Sequence, residues 1–375
     1  MRLDRSGTAP AAKQPKQSAW LFAFSALTAC LTFSCTAVAQ VKSESLSWEL
    51  GPTGSKSSLR GLTAPTDRVI WACGSQATVL LSSDGGSSWQ NVSPSGFNEV
   101  EFRSVHAWSA KEACIASAGQ PAVLLRTIDG GESWQEVYRA EDEAAFFDGM
   151  QFWDQRRGIV FSDPVGPTML VLETADRGLS WTRIDPKQLV PVLEGEAGFA
   201  ASNSSIAVAS GGRVWIGTGG QSAEQSRVHM RTGWNADWQV VSCPLESGSA
   251  SGIFSIAASS QRMVAVGGDY RPEAKSKTTA ALSDDGGKSW RIGDQPPPTY
   301  RSAVQFLPLT DSGQAEVNQS ENGLWIATGP TGSDWSLDGD RWESFTDTGF
   351  HVLAVGKNEI FAAGSEGRFA VLRRK

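Results

Sequence analysis

Three arginines stand at the same place in an internal repeat: Arg60, Arg103 and Arg301 each follow a large apolar or aromatic residue, in the segments LRGL, FRSV and YRSAV. A guanidinium is a planar, permanently charged fork of donors that matches carboxylate oxygens, so three of them converging would make an anion site. The same offset in the other copies holds Asp148, Ala200, Ser255 and His351. Loops expected on the same face add Gln76, Gln120, Asp163, Asp269, Tyr270 and Glu366, with Glu196 just before the fourth repeat start. The candidate site is therefore Arg60, Arg103, Asp148, Glu196, Ser255, Asp269, Tyr270, Arg301 and His351, fit for a protein segment or a small anionic or carbohydrate-like ligand. Arg and Asp at these positions also suit ion pairs that rivet neighbouring repeats. His106, His229 and His351 fall in different repeats with no ligand spacing, which predicts no metal site. No phosphate loop or GxSxG elbow is present, and no cofactor is expected.

The elements that must position these residues are marked by tryptophan. Aligning the chain on Trp gives SSDGGSSW (82–89), TIDGGESW (127–134), TADRGLSW (174–181) and SDDGGKSW (283–290), a shortened SLDGDRW (336–342) and a degenerate RTGWNADW (231–238). The Trp-to-Trp spacings are 45, 47, 57, 52 and 52 residues, the period of a propeller or solenoid. Runs such as ATVLL, PAVLL and TMLVL between them read as short strands, and four strands per copy fit a propeller blade. In this box the glycines allow positive φ, the Asp and Ser/Thr side chains bond turn amides, and the Trp covers the turn. Asp84, Trp89, Asp129, Trp134, Asp176, Trp181, Asp285, Trp290, Asp338 and Trp342 are accordingly expected to be structural.

Repeat starts at Leu59, Phe102, Phe147, Phe199, Phe254, Tyr300 and Phe350 count seven blades, 48 residues apiece over 40–375. The seventh lacks its box, and SLSWELG (45–51), with Trp48, supplies a final strand. The expectation is an all-β, seven-bladed β-propeller with the N-terminal strand closing the last blade, so that no edge is left unpaired. Alternation puts the aromatics between blades and their neighbours on the channel side, with the boxes at the opposite end.

Residues 1–39 read as an export signal. Arg2, Arg5, Lys13 and Lys16 precede the uncharged apolar stretch 18–33, and Ala37-Val38-Ala39 sets cleavage before Gln40. Leu27-Thr28-Ala29-Cys30 offers the alternative of a lipoprotein anchored at Cys30. Cleavage changes the net charge from −7 to −10, which with few lysines argues against an electrostatic grip on nucleic acid. The mature part, 40–375, is expected to be a periplasmic or extracellular monomer without a transmembrane segment. Its three cysteines, Cys73, Cys114 and Cys243, are read as buried thiols.

The boxes are the Asp-box, or BNR repeat. Together with the LRGL, FRSV and YRSAV starts and the export signal, they resemble the photosystem II stability/assembly factor family over essentially the whole mature chain. The resemblance implies a non-catalytic assembly scaffold that binds partner polypeptides; it does not carry over the photosystem partner, since bacterial relatives occur outside photosynthesis. The enzyme alternative is a sialidase-like glycoside hydrolase, which the resemblance of Arg60, Arg103 and Arg301 to an arginine triad supports. Against it, FRSV lacks the Ile-Pro of the sialidase FRIP, sialidases have six blades, and of the tyrosines only Tyr270 lies in a loop of the arginine face.

Overall fold

Short apolar runs separated by Gly-rich turns fold as antiparallel strands, because each run is long enough to cross one sheet and each turn is too tight for anything but a hairpin. The computed structural model describes residues 46–220, 225–276, 278–309 and 323–374, all within the compact unit Lys42–Lys375. The 1–39 signal, the start at Gln40 and Cys30 lie outside the described residues. Among the described residues helix is confined to two 3-10 turns, Pro186–Gln188 and Ser365–Gly367. No helix among them is long and apolar enough to cross a membrane.

The strands form five four-stranded sheets and one of nine strands. In the sheet that begins at Leu59, the strands Leu59–Thr63, Ile70–Gly74, Val79–Ser82 and Gln90–Asn91 follow one another as a meander. Meanders beginning at Phe102, Phe147 and Ala303 repeat the plan. The nine-stranded sheet runs from Glu196 to Ile292; within it Arg213–Gly220 meets Ser251–Ala258 at Gly219 and Gly252. A Cβ on Gly219 would stand 2.6 Å from the Gly252 Cα, so only glycine permits that junction. In the last sheet, Val352–Val355, Ile360–Ala363 and Arg368–Arg374 are completed by Leu46–Pro52, which pairs from Leu46↔Arg374 to Pro52↔Arg368. The first described strand thus covers the edge of the last.

Apolar side chains between consecutive sheets form the core, and burying them is the main favourable term in folding. Phe361 and Phe369 pack with Ile70 and Leu80, Trp71 and Leu81 with Phe102 and Ile115, and Leu124 with Phe147 and Met150. Phe161 and Val171 pack with Ile206 and Ile216, Trp215 with Ile253, and Val264 with Val304 and Trp325. The circuit returns to the last sheet where Trp48 meets Phe350 edge-on at 5.1 Å and donates to Ser333 Oγ at 3.1 Å. Cys73, Cys114 and Cys243 are free and buried in three of these clusters.

The box turns are built as their sequence requires. Ser82 Oγ donates to Asp84 Oδ1 at 2.8 Å and accepts from Gly86 N–H, while Asp84 Oδ1 accepts from Ser88 N–H. Asp129, Asp176 and Asp285 repeat this pattern. Gly86 needs both its freedoms: its φ is +89°, and a Cβ would lie 2.2 Å from the Phe369 ring of the neighbouring sheet. Trp89, Trp290 and Trp342 each close the turn by donating to the second glycine's carbonyl or its equivalent, at 3.1 Å.

Candidate functional site

Four of the inner strands begin with a bulge that redirects one residue. Pairing skips Arg60 between Leu59 and Gly61, Arg103 between Phe102 and Ser104, Asp148 between Phe147 and Gly149, and Phe254 between Ile253 and Ser255. A bulged residue leaves the alternation of its strand, so its neighbours stay in the core while its own side chain is redirected. These starts are opposite the boxes: Leu59 pairs with Gly74 at one end of its sheet, whereas Ser82 pairs with Ile70 at the other.

Arg60, Arg103, Asp148, Phe254 and His351 line one cavity of about 460 Å³, joined by Phe146, Asp163, Phe199, Tyr270 and Tyr300. That volume is in the range of about 300–1,000 Å³ usual for small-ligand sites. Arg103 donates to Glu101 Oε2 at 2.7 Å and to the Ala200 carbonyl at 3.1 Å, and Arg60 lies 3.8 Å from the other Glu101 oxygen. Two guanidiniums therefore share one carboxylate and stay about a quarter exposed, 27% and 25%. Burial, and then the charge of Arg103, lower the Arg60 pKa. The same guanidiniums act on His351: burial, Arg60 and Arg103 bring it down to about 4, so the ring is neutral at pH 7, with Nε2 2.8 Å from Ser365 Oγ.

In the sheet next to that of Arg103, and near enough for its charge to act on Asp148, stand two carboxyls. Asp148 is buried and neither of its oxygens has a hydrogen-bond partner of normal geometry. Burial, and then the charge of Asp163, raise its pKa well above the carboxylate range. Asp163 is raised by burial too, but it accepts from Gly198 N–H at 2.8 Å. Asp163 is accordingly the better place for the charge and Asp148 the better place for the proton. The rest of the wall is aromatic: Phe199 stacks on Phe254 at 4.1 Å, and Tyr300 meets Phe254 edge-on at 4.7 Å. Tyr270 stands 50% exposed at its rim.

Four expected members lie elsewhere. Arg301 is not beside Arg60 and Arg103; it is 2% exposed and paired with Asp334, which is wholly buried. The reason is register. Gly74 is pressed against Ser58 and Leu59, and Gly329 in the same way against Tyr300 and Arg301. Arg301 therefore fills the slot of Leu59 and Phe350, and Tyr300, expected in that buried slot, faces the cavity. Ser255 is likewise one place out, because Ile253 takes the buried slot and Phe254 the bulge. Ser255 hydrogen-bonds Ser204 Oγ at 2.7 Å and Val304 N–H at 2.9 Å inside the core. Glu196 is buried against His229 at 2.7 Å, Thr218 at 2.7 Å and Arg227. Asp269 is taken by Arg271 of its own loop. The aromatic wall and Glu101 were not singled out from sequence; the pairs Phe146-Phe147 and Phe254-Ser255 leave two possible registers, and periodicity alone does not choose between them.

Comparison with known proteins agrees with this architecture. The family model for photosynthesis system II assembly factor YCF48 matches residues 41–142. A solved structure of YCF48 bound to D1 peptide is 16% identical, with a TM-score of 0.57 over 88% of this chain and 95% of that one. YCF48 from Cyanidioschyzon merolae is 15% identical, with a TM-score of 0.55 over 87% of this chain and 98% of that one. The computationally designed Ika8 protein is 14% identical, with a TM-score of 0.52 over 87% of this chain and 100% of that one. No curated protein sequence matches the chain. The chain is a BNR-type β-propeller that resembles the photosystem II assembly factor.

Proposed function

We propose that the chain is an exported, monomeric, seven-bladed propeller that serves as a non-catalytic protein-binding or assembly scaffold. In this reading the nine-stranded sheet is two blades joined at Gly219 and Gly252, and Leu46–Pro52 closes the seventh. The observation that carries the binding role is the open pair Arg60 and Arg103, which share the single carboxylate Glu101 and so retain donors for an acidic group of a partner. A related propeller fold is known with D1 peptide bound, which supports a polypeptide as the partner class here. The photosystem partner itself is not implied, because a fold hosts many functions.

The glycoside-hydrolase alternative needs three arginines at one carboxylate. With Arg301 held by Asp334, two are available, which favours the scaffold reading. Chromogenic sialosides offered to the purified chain test it, and turnover would revive the enzyme. For the scaffold, a photo-crosslinker at Tyr270 should trap one partner from the cell envelope, and Arg60→Ala with Arg103→Ala should abolish that adduct at unchanged Tm. An adduct that persists in the double variant would remove the arginines from the role. N-terminal sequencing of the exported protein tests a mature start at Gln40 against an anchor at Cys30.

A further inference from the structure

We propose that the cavity binds a free amino acid with a large apolar or aromatic side chain, its carboxylate on Arg60 and Arg103 and its ammonium on Asp148 and Asp163. This goes beyond the scaffold reading and does not depend on it.

The charges are divided to suit a zwitterion. On one side two guanidiniums share Glu101, an excess of positive charge, and Arg103 Nε has no hydrogen-bond partner. On the other side Asp148 is 1% exposed and, beyond its contact with Asp163, neither of its oxygens has a partner of normal geometry, although it lines the cavity. A buried polar group short of partners costs free energy, so a site of this kind is set up for a donor supplied from outside. A plain anion would meet the Asp148–Asp163 pair as repulsion, and a plain cation would meet Arg103.

The spacing fits. Asp163 holds the Gly198 amide and Arg103 holds the Ala200 carbonyl, so the acidic and basic sides are anchored two residues apart on one segment. The two sides are also neighbours in the fold, since the sheet of Asp148 packs on that of Arg103 and the Arg103 charge acts on Asp148. An α-amino acid holds its carboxylate and ammonium about 3 Å apart, and a hydrogen bond of about 2.8 Å at each end lets it bridge groups up to about 9 Å apart. The rest of the lining, Phe199, Phe254 and Tyr300, offers a ring surface to the side chain, and the cavity of about 460 Å³ has room for it.

Calorimetric titration of the purified full-length chain with L-phenylalanine, N-acetyl-L-phenylalanine and L-phenylalaninamide tests this. The zwitterion should bind at least about tenfold tighter than either blocked form, because each block removes one charge-assisted contact. Asp148→Asn should erase discrimination against the N-acetyl form, and Arg103→Gln discrimination against the amide. Asp163→Asn and Arg60→Gln repeat the two arms should either first variant fail to fold. Equal affinity for all three compounds, discrimination that survives the substitutions, or no saturable heat with phenylalanine, tryptophan and leucine would each overturn the inference. Partner crosslinking that persists in the last case would leave the scaffold reading standing.

Discussion

Arg301 donates from Nε to the Asp334 carboxylate, and both side chains are sealed inside the sheet that begins at Ala303. Ser344 Oγ donates to the other Asp334 oxygen, and Arg301 also donates to Thr299 Oγ1 at 2.6 Å and the Tyr300 carbonyl at 3.0 Å. Removing one member of such a pair strands the other charge in a medium of low polarity. Asp334→Ala should therefore cost about 3–5 kcal/mol, and joint replacement by Arg301→Met and Asp334→Leu considerably less. Urea denaturation of the single and double variants checks this; a single variant as stable as wild type would show that the pair is dispensable.

Phe254 and Ser255 are adjacent but belong to different jobs. Phe254→Ala should remove the centre of the aromatic wall and weaken occupancy of the cavity. Ser255→Ala should leave the cavity as it is, yet cost about 1–3 kcal/mol because the Val304 N–H loses its acceptor in the core. Paired binding and denaturation measurements separate the two, and the reverse assignment of effects would mean that the register at Ile253 is wrong.

Acid should unfold the protein in two stages. Burial lowers His106 and His351 to about 4 from an ordinary value of 6.5. A histidine depressed in the fold contributes stability above its unfolded pKa that is lost as pH falls, here from about 6.5 to about 4. Asp84, Asp129 and Asp285 are held at about 2 by hydrogen bonds led by those from Ser88, Ser133 and Ser289. Glu196 is raised by burial but brought to about 2 by His229. Their contribution is present above about 4 and lost as pH falls towards about 2. Asp148 has the opposite sign, since a raised carboxyl destabilises the fold as pH rises, so Asp148→Asn should raise Tm at pH 7. Melting curves across pH 2–8 read all three, and a Tm unaffected by Asp148→Asn would remove the buried-carboxyl strain.

Closure by the first strand should be essential. Deleting residues 46–52 uncovers Arg368–Arg374, and the bare edge should lower Tm and lead to self-association, visible by light scattering. Trp48→Ala should cost on the order of 2–3 kcal/mol, less than a full core tryptophan because the ring is half-buried. A truncated chain that remains monomeric and equally stable would mean that the pairing does not hold the ring shut.

Much of the frame was legible because its signals are local. A box such as SSDGGSSW carries its turn, its side-chain hydrogen bonds and its covering tryptophan within eight residues, so no distant partner is needed to recognise it. Trp48 was legible for a similar reason, as the strand missing from a repeat that stops short. The inward positions were less so. Arg60, Arg103, Asp148 and His351, read by their offset from a buried neighbour, line the cavity, whereas Ser255 and Arg301, read by the same offset, lie in the core.

What the sequence determined by itself, then, is the repeating β-architecture, the pairing of its first strand with its last sheet and the opposition of boxes to arginines. The boxes follow from turn chemistry within eight residues, and the pairing and the opposition follow from counting strands along the repeat. What only the tertiary structure decided is which charges are free. Arg301 and Arg103 look alike in YRSA and FRSV, yet one is buried on Asp334, 33 residues away, and the other opens into a cavity facing Asp148. A one-residue shift in register turns a strand's side chains to the opposite face, and register is chosen by the packing of the neighbouring sheets.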